Sequence, residues 1–265
     1  MTPEYDILAP IRRLPIEIKR DLQTLIVDRT GETDDAFMRT EHFLGHVHPN
    51  QIYTLSLDGM TPAPNGVEPK LPAEIEPPHL VLQGDWDSKV DLTIDDANIL
   101  GGNGRYTLSS GHDELVVPEA ETTPEHLAYY GSYLVPLGGN LAFNADAPLP
   151  ITVTSVGQSY AVDYLFNANH GGGEYLEVHD RPHFHMPLDE QAGGHLIIGT
   201  NDPNGAKKIS AFKIPFGFGV LMAPWAIHSD AHLTGRYMVI YSATKNFSTV
   251  ILRSETQDLA PIRIA

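Results

Sequence analysis

The sequence has 265 residues and no cysteine, and its 34 Asp and Glu against 17 Lys and Arg give a formal net charge of −17. The lack of cysteine excludes disulfides, thiolate metal sites and a cysteine nucleophile, and the acidic balance disfavours nucleic acid and membrane surfaces as partners. Because there is no run of about 18 apolar residues and no signal-peptide pattern at the start, we expect a cytoplasmic protein.

The N-terminal part of the chain predicts two short helices followed by separate strands. An apolar face after Pro15 predicts a helix up to about residue 28. Residues 33–44 predict a second helix with Thr33 or Asp34 as its N-cap. The six prolines between residues 61 and 78 indicate a surface loop. Strands are predicted at residues 52–57, 79–82, 90–94 and 115–117, with a turn at 101–104.

From about Tyr129 onward the pattern is strand, turn, strand. Predicted strands cover residues 133–136, 141–143, 151–155, 161–166, 174–186, 195–198, 208–214, 219–222 and 237–241. Short strands at this spacing favour an all-β barrel or sandwich. There is no βαβ alternation, no glycine-rich phosphate loop and no nucleophile elbow, which disfavours nucleotide-dependent and α/β-hydrolase chemistry.

Residues 178–190 contain the densest group of metal-competent side chains in the sequence. His179, His183 and His185 are separated by even numbers of residues, so all three would share one face of an unbroken strand. Pro182 can interrupt that strand. Imidazole and carboxylate ligands, without thiolates, suit Fe, Mn, Ni, Co, Cu or Zn. The sequence therefore predicts a single divalent transition metal ion.

The order His183-x-His185, four residues, Glu190, and later Gly219, Pro224 and His228 resembles the two motifs of the cupin superfamily over roughly residues 125–250. The resemblance implies a double-stranded β-helix, or jelly-roll, barrel. It also implies that His183, His185, Glu190 and His228 are the metal ligands. A fainter similarity, to ureidoglycolate lyase-like cupins, lies in Phe212, Pro215 and Gly217 followed by Trp225 and His228.

His195 is a rival for the third ligand position, because Gln191-Ala-Gly-Gly194 separates Glu190 from the next predicted strand, which His195 opens. We predict that His179, Arg181 and His195 contact the substrate when they are not ligands; Arg181 is otherwise an ion-pair partner. The predicted domains are an N-terminal extension at residues 1–124, which could be a degenerate second barrel, a cupin barrel at 125–255 and a tail at 256–265.

These features predict a metal-dependent enzyme that acts on a small polar organic molecule. Non-redox isomerase or lyase chemistry is preferred, because the polar groups around the histidines suggest a substrate rich in oxygen. A dioxygenase is the first alternative, since the same ligand types support it. A non-catalytic module that binds or senses a small ligand is the second. The family resemblance implies a homodimer.

Overall fold

The computed structural model describes residues 27–88, 104–167, 170–244 and 246–265. The predicted first helix up to residue 26, the strand at residues 90–94 and the turn at 101–103 lie outside the described residues. Strands account for 50% of the described residues and helices for 5%, which confirms the predicted all-β class. Among the described residues, no helix combines the length and apolar character needed to cross a membrane.

Within the described part of the chain, the strands and helices have the following bounds. The strands before residue 124 are β1 Asp28–Thr30, β2 Phe37–Val47, β3 Ile52–Ser56, β4 Gly59–Pro62, β5 Leu80–Leu82, β6 Gly84–Asp87, β7 Gly104–Leu108, β8 Leu115–Val117 and β9 Glu119–Ala120. The helices are α1 Pro124–Tyr129 and a π-helix at Tyr160–Leu165. The remaining strands are β10 Tyr133–Pro136, β11 Asn140–Ala142, β12 Leu149–Val156, β13 Tyr175–His179, β14 His183–Pro187, β15 Gly193–Asn201, β16 Lys207–Phe212, β17 Phe218–Met222, β18 Ile227–Ile240, β19 Phe247–Arg253 and β20 Ile262–Ile264.

Strand β18 connects the two main sheets. Its first half pairs with β13 and β15, and its second half pairs with β12 and β14. The change of partner falls at Gly235, which has a φ of +92°. A side chain there would be strained at this φ and would place its Cβ 2.6 Å from the Cα of Ala192, so glycine suits the crossing point. One long strand thus belongs to both sheets.

The largest apolar cluster lies between the two sheets. On one sheet, Val220, Met222 and Val239 face this cluster, while Leu221 and Ile240 face a separate cluster behind the sheet. On the other sheet, residues alternate in the same way between the shared cluster and a second outer one. This alternation is what strand geometry requires of a two-layered fold. It leaves one interior between the sheets and an apolar layer outside each.

The predicted helix at residues 33–44 is wrong, because residues 37–47 form strand β2. Met38 and Thr40 are buried while Phe37 and Arg39 are more exposed, and β2 pairs along most of its length with β12. The cap-like Thr33 and Asp34 do precede the element, but pairing with two neighbouring strands supplies backbone partners that outweigh local helix preference.

The predicted strand at residues 161–166 is also wrong, since residues 160–165 form the π-helix. Tyr160 and Tyr164 stack on the buried side of this helix with their ring centroids 5.3 Å apart. Helix α1 was not predicted. It begins after Thr123, whose hydroxyl accepts the backbone N–H of His126, and Pro124 occupies the first turn.

Strands on both sides of residue 124 pair with one another. β2 pairs with β12, β7 pairs with β19, and β20 near the C-terminus pairs with β8. The predicted division at residues 124 and 255 stays a prediction. The strand pairs show only that the N-terminal region contributes to the same sheets as the histidine-bearing strands.

Candidate metal centre

Four buried side chains bring their metal-binding atoms together: Glu177, His179, His183 and His228. One ligand atom from each lies within 4.8 Å of the others, and each residue is 3% exposed or less. His228 Nε2 is 3.0 Å from Glu177 Oε1, 3.0 Å from His183 Nδ1 and 3.1 Å from His179 Nε2. His179 Nε2 and His183 Nδ1 are 3.4 Å apart. We call these residues the four-residue cluster.

Three strands bring the cluster into the interior between the sheets. Glu177 and His179 share a face of β13, and Glu177 pairs directly with His228 on β18. The chain then leaves the strand at residues 180–182, and His183 opens β14, which pairs with β17 and with the second half of β18. His179 and His183 therefore lie on two different strands, and the prediction of one continuous strand over 174–186 is wrong.

The turn before β18 fixes the position of His228. Trp225 has a φ of +67°, which is unusual for a bulky residue, and its backbone N–H donates to the carbonyl of His179 at 2.7 Å. Ala226 closes the turn by donating to the carbonyl of Ala223 at 3.2 Å. The turn thus ties the end of β13 to the start of β18, and strain of this kind is often found at functional sites.

Backbone carbonyls fix the tautomers of His179 and His228. The Nδ1–H of His179 donates to the carbonyl of Arg181 at 2.6 Å, and that of His228 donates to the carbonyl of Ala226 at 2.9 Å. A carbonyl can only accept, so when these rings are neutral each Nε2 carries a lone pair. The two lone pairs then face each other across 3.1 Å. Such an arrangement calls for a cation or a shared proton between them, and it is how metal-binding histidines are usually oriented.

The separations within the cluster match a shared metal ion. Imidazole nitrogens and carboxylate oxygens bind transition metals at about 2.0–2.2 Å, which puts neighbouring ligand atoms roughly 2.9–3.4 Å apart. The four distances of 3.0–3.4 Å fall in this range. Three imidazoles and one carboxylate also form a donor set that suits borderline divalent metals. The residues present therefore fit a metal ion.

The electrostatics of the cluster favour neutral imidazoles, with one exception. Burial, followed by the neighbouring charge of His228, lowers the pKa of His179 to about 4. Burial and the adjacent His185 and His228 hold the pKa of His183 well below its usual value. Burial also acts to lower the pKa of His228, but its hydrogen bond and charge interaction with Glu177 outweigh this, so that pKa is raised. Without metal, the cluster can thus hold a proton between His228 and Glu177.

The structure brings together only part of the ligand set that the cupin resemblance implies. His183 and His228 are in the cluster. His185 is the next inward-facing residue of β14, with its ring centroid 4.7 Å from that of His183, but it is not one of the four. Glu190 lies in an exposed turn after β14 and is not a member either. The cluster's carboxylate is that of Glu177.

Of the three residues predicted to contact substrate, one lies in the four-residue cluster and two lie outside it. His179 is a member of the cluster. The guanidinium of Arg181 forms an ion pair with Asp146 at 2.8 Å and also donates to the carbonyl of Ala243. This agrees with the alternative prediction that Arg181 is an ion-pair partner. His195 lies against Glu119, with Nε2 2.7 Å from Oε2. Neither Arg181 nor His195 is one of the four.

Glu177 was not singled out from the sequence, although a signal was present. It lies two residues before His179, so it shares the even spacing that drew attention to the histidines. What the sequence does not show is that residue 177 pairs with residue 228 across two strands. The local pattern Glu-x-His at the end of a buried strand would have been the clue.

The fold and the cluster together define a β-rich protein with a buried glutamate and three histidines able to hold a metal ion. Comparisons with protein-family models, with curated proteins and with solved structures give no significant match to this chain. The residues of the cluster are therefore the main indication of its function.

Proposed function

We propose that this protein is a metal-dependent enzyme that binds one divalent transition metal ion through Glu177, His179, His183 and His228. The observation that carries this proposal is the pair of Nε2 atoms of His179 and His228, 3.1 Å apart, with each Nδ1–H held by a backbone carbonyl. A buried arrangement of this kind is costly without a cation, since the polar atoms have left water. Fe, Mn, Ni, Co, Cu and Zn all suit the donor set.

A cupin-type jelly-roll barrel is part of this proposal. It is supported by two sheets that share the long strand β18, and by the position of the cluster between them. One histidine of each cupin-like motif, His183 and His228, lies in the cluster. Compared with the ligand set implied by the resemblance, the proposal replaces Glu190 with Glu177 and His185 with His179.

The proposed substrate is a small polar organic molecule, and the preferred chemistry is non-redox isomerisation or elimination. A bound divalent metal can polarise a carbonyl or lower the pKa of a bound water. The chain's own contribution is to orient the ligands through Arg181 and Ala226 carbonyls and to exclude bulk water by burial. Dioxygenase chemistry is the alternative within the same site, and oxygen uptake that tracks turnover would favour it.

A structural metal site is a second candidate function, of a different class. The near-complete burial of all four residues favours it, because structural metal sites are closed whereas catalytic ones keep a position for water or substrate. In that case the ion would only tie β13, β14 and β18 together, and the protein would be a non-catalytic binding or sensing module.

Metal analysis of protein purified without a polyhistidine tag tests the proposal. We expect one equivalent of metal in the wild type and a loss of at least about tenfold in affinity for His179→Ala and His228→Ala. The matched control is His112→Ala, because His112 is an exposed histidine outside the cluster. Equal metal content in all four proteins would refute the metal site.

Water-proton relaxation of the Mn²⁺-loaded wild type separates the two candidate functions. An enzyme needs a coordination position that water or substrate can reach, so we expect enhanced relaxation from an exchanging bound water. A closed structural site would leave the relaxation close to that of metal-free protein.

A further inference from the structure

A second layer of polar side chains lies beside the four-residue cluster in the same interior. β13 and β18 are antiparallel and pair Glu177 with His228, so the next inward positions are Tyr175 and Asp230. Tyr175 Oη donates a hydrogen bond to Asp230 Oδ1. On β14, the next inward position after His183 is His185. We call Tyr175, Asp230 and His185 the second layer.

His185 is the member of this layer whose bonding is incomplete. It is 1% exposed, and both of its ring nitrogens are buried without a hydrogen-bond partner among the described residues. The Nε2 of His183, on the side of that ring away from the cluster, is unpartnered in the same way. Buried polar atoms without partners are rare in folded proteins and call for an explanation such as a bound ligand or water.

The charges around the second layer favour an anion as that ligand. A divalent ion with Glu177 and three neutral imidazoles has a net charge of +1. Beyond the layer, the guanidinium of Arg29 is buried, donates to Tyr160 Oη at 2.7 Å and lies 6.0 Å from the ring centroid of Tyr175. Formally, its positive charge offsets that of the Asp230 carboxylate, which accepts the hydrogen bond of Tyr175 on the other side of this ring. The metal-loaded centre then keeps a positive charge that is poorly screened by water in this buried position.

We propose that His185 is a substrate-binding residue, which donates a hydrogen bond to one oxygen of a small organic carboxylate bound on the His185 side of the metal centre. The inference rests on the proposed function. It assigns His185 to the substrate rather than to the metal, and it names a monoanionic carboxylate as the substrate class. The unpartnered nitrogens, their position beside His183 and the net charge of the loaded site are its three supports.

Titration of acetate into the Co²⁺-loaded protein tests this role, with the visible absorption of Co²⁺ as the readout. We expect saturable spectral changes in the wild type and much weaker ones with acetamide, a neutral analogue of acetate. His185→Phe should keep one equivalent of Co²⁺ and weaken acetate binding by roughly tenfold or more. His185→Gln retains a donor and should recover most of that loss. His112→Phe, at an exposed histidine, should bind acetate like the wild type.

Each alternative result has a distinct meaning. Loss of Co²⁺ from both His185 variants would make His185 a metal ligand and overturn the inference while the metal site stands. Unchanged acetate affinity in His185→Phe would also overturn it, as would equal binding of acetamide and acetate. Failure of the wild type to bind Co²⁺ would refute the proposed function, and the inference with it.

Discussion

At the scale of single residues, the chemistry of the site depends on which groups face the shared interior. His183 and His228 could be identified from the sequence because their order and spacing resemble a known motif. Glu177 and His179 could not be assigned as ligands, because their contact with His228 depends on strand register. The spacing of His179, His183 and His185 suggested one ligand face, but the break at residues 180–182 moves His179 to another strand.

The two candidate carboxylates offer a matched pair for mutation. We expect Glu177→Gln to weaken metal binding by at least about tenfold, since the buried carboxylate is 3.0 Å from His228 Nε2 and supplies the site's negative charge. Glu190→Gln should change metal affinity little, because Glu190 lies in an exposed turn.

Competition with a chromogenic chelator measures both affinities, and circular dichroism confirms that both variants fold. The reverse order of effects would restore Glu190 as the ligand and remove Glu177 from the site.

At the scale of elements, most strands predicted for the C-terminal half are present, because their residues alternate and turn residues separate them. Strands β19 and β20 and the first half of β18 were not predicted. The two elements assigned to the wrong class fall where local preference and tertiary pairing disagree. Residues 37–47 look helical next to Thr33 and Asp34 but pair with β1 and β12. Residues 160–165 are rich in β-forming side chains but pack as a helix on the buried Tyr160 and Tyr164. Neither partner strand nor packing surface can be read from a short window of sequence.

The turn at residues 223–226 gives a prediction about backbone strain. Trp225 has a φ of +67° and its side chain is 54% exposed. A residue with a Cβ is disfavoured in this conformation by about 1 kcal/mol or more relative to glycine. We therefore expect Trp225→Gly to be more stable than Trp225→Ala. Relief of the backbone strain contributes about 1 kcal/mol to this difference, and the greater freedom of glycine in the unfolded chain offsets part of it.

Urea unfolding of the two variants measures this difference. Both lack the indole ring and both keep the N–H that donates to His179, so the comparison isolates the backbone. An alanine variant more stable than the glycine variant would show that the turn is not strained. Metal content should be the same in both variants.

At the scale of the whole molecule, the all-β class followed from turn and strand spacing, whereas the arrangement of the sheets did not. Two sheets enclose one interior because β18 changes partners at Gly235. That interior holds an apolar cluster together with the ionisable groups of the site. Sequence patterns indicate which strands have buried faces, but they do not show that the inward faces of β13, β14 and β18 meet. Because these ionisable groups are buried in the same interior, the free energy of unfolding depends on the protonation of the histidines of the site.

The sign of this link follows from the direction of each pKa shift. Burial lowers the folded-state pKa of His179 and of His185 to about 4, from an ordinary value of 6.5. Between these values the unfolded chain binds more protons, so stability is present above about pH 6.5 and is lost as the pH falls toward 4. Each of these histidines accounts for roughly 3 kcal/mol of that loss. His228 has a raised pKa and acts in the opposite sense, adding stability at low pH that is lost as the pH rises through its folded-state value.

Metal binding should therefore stabilise the protein most at high pH. A bound ion needs the lone pairs of all three cluster histidines and displaces the proton held between His228 and Glu177, so protons compete with it. We expect the difference in urea midpoint between metal-loaded and chelator-treated protein to be largest near pH 8 and to shrink toward about pH 5, where the metal-free protein is itself less stable. Unfolding series at several pH values measure both curves. A metal-dependent difference that stays constant over this range would contradict ligation by the histidines of the cluster, because their protonation could not then be coupled to the ion.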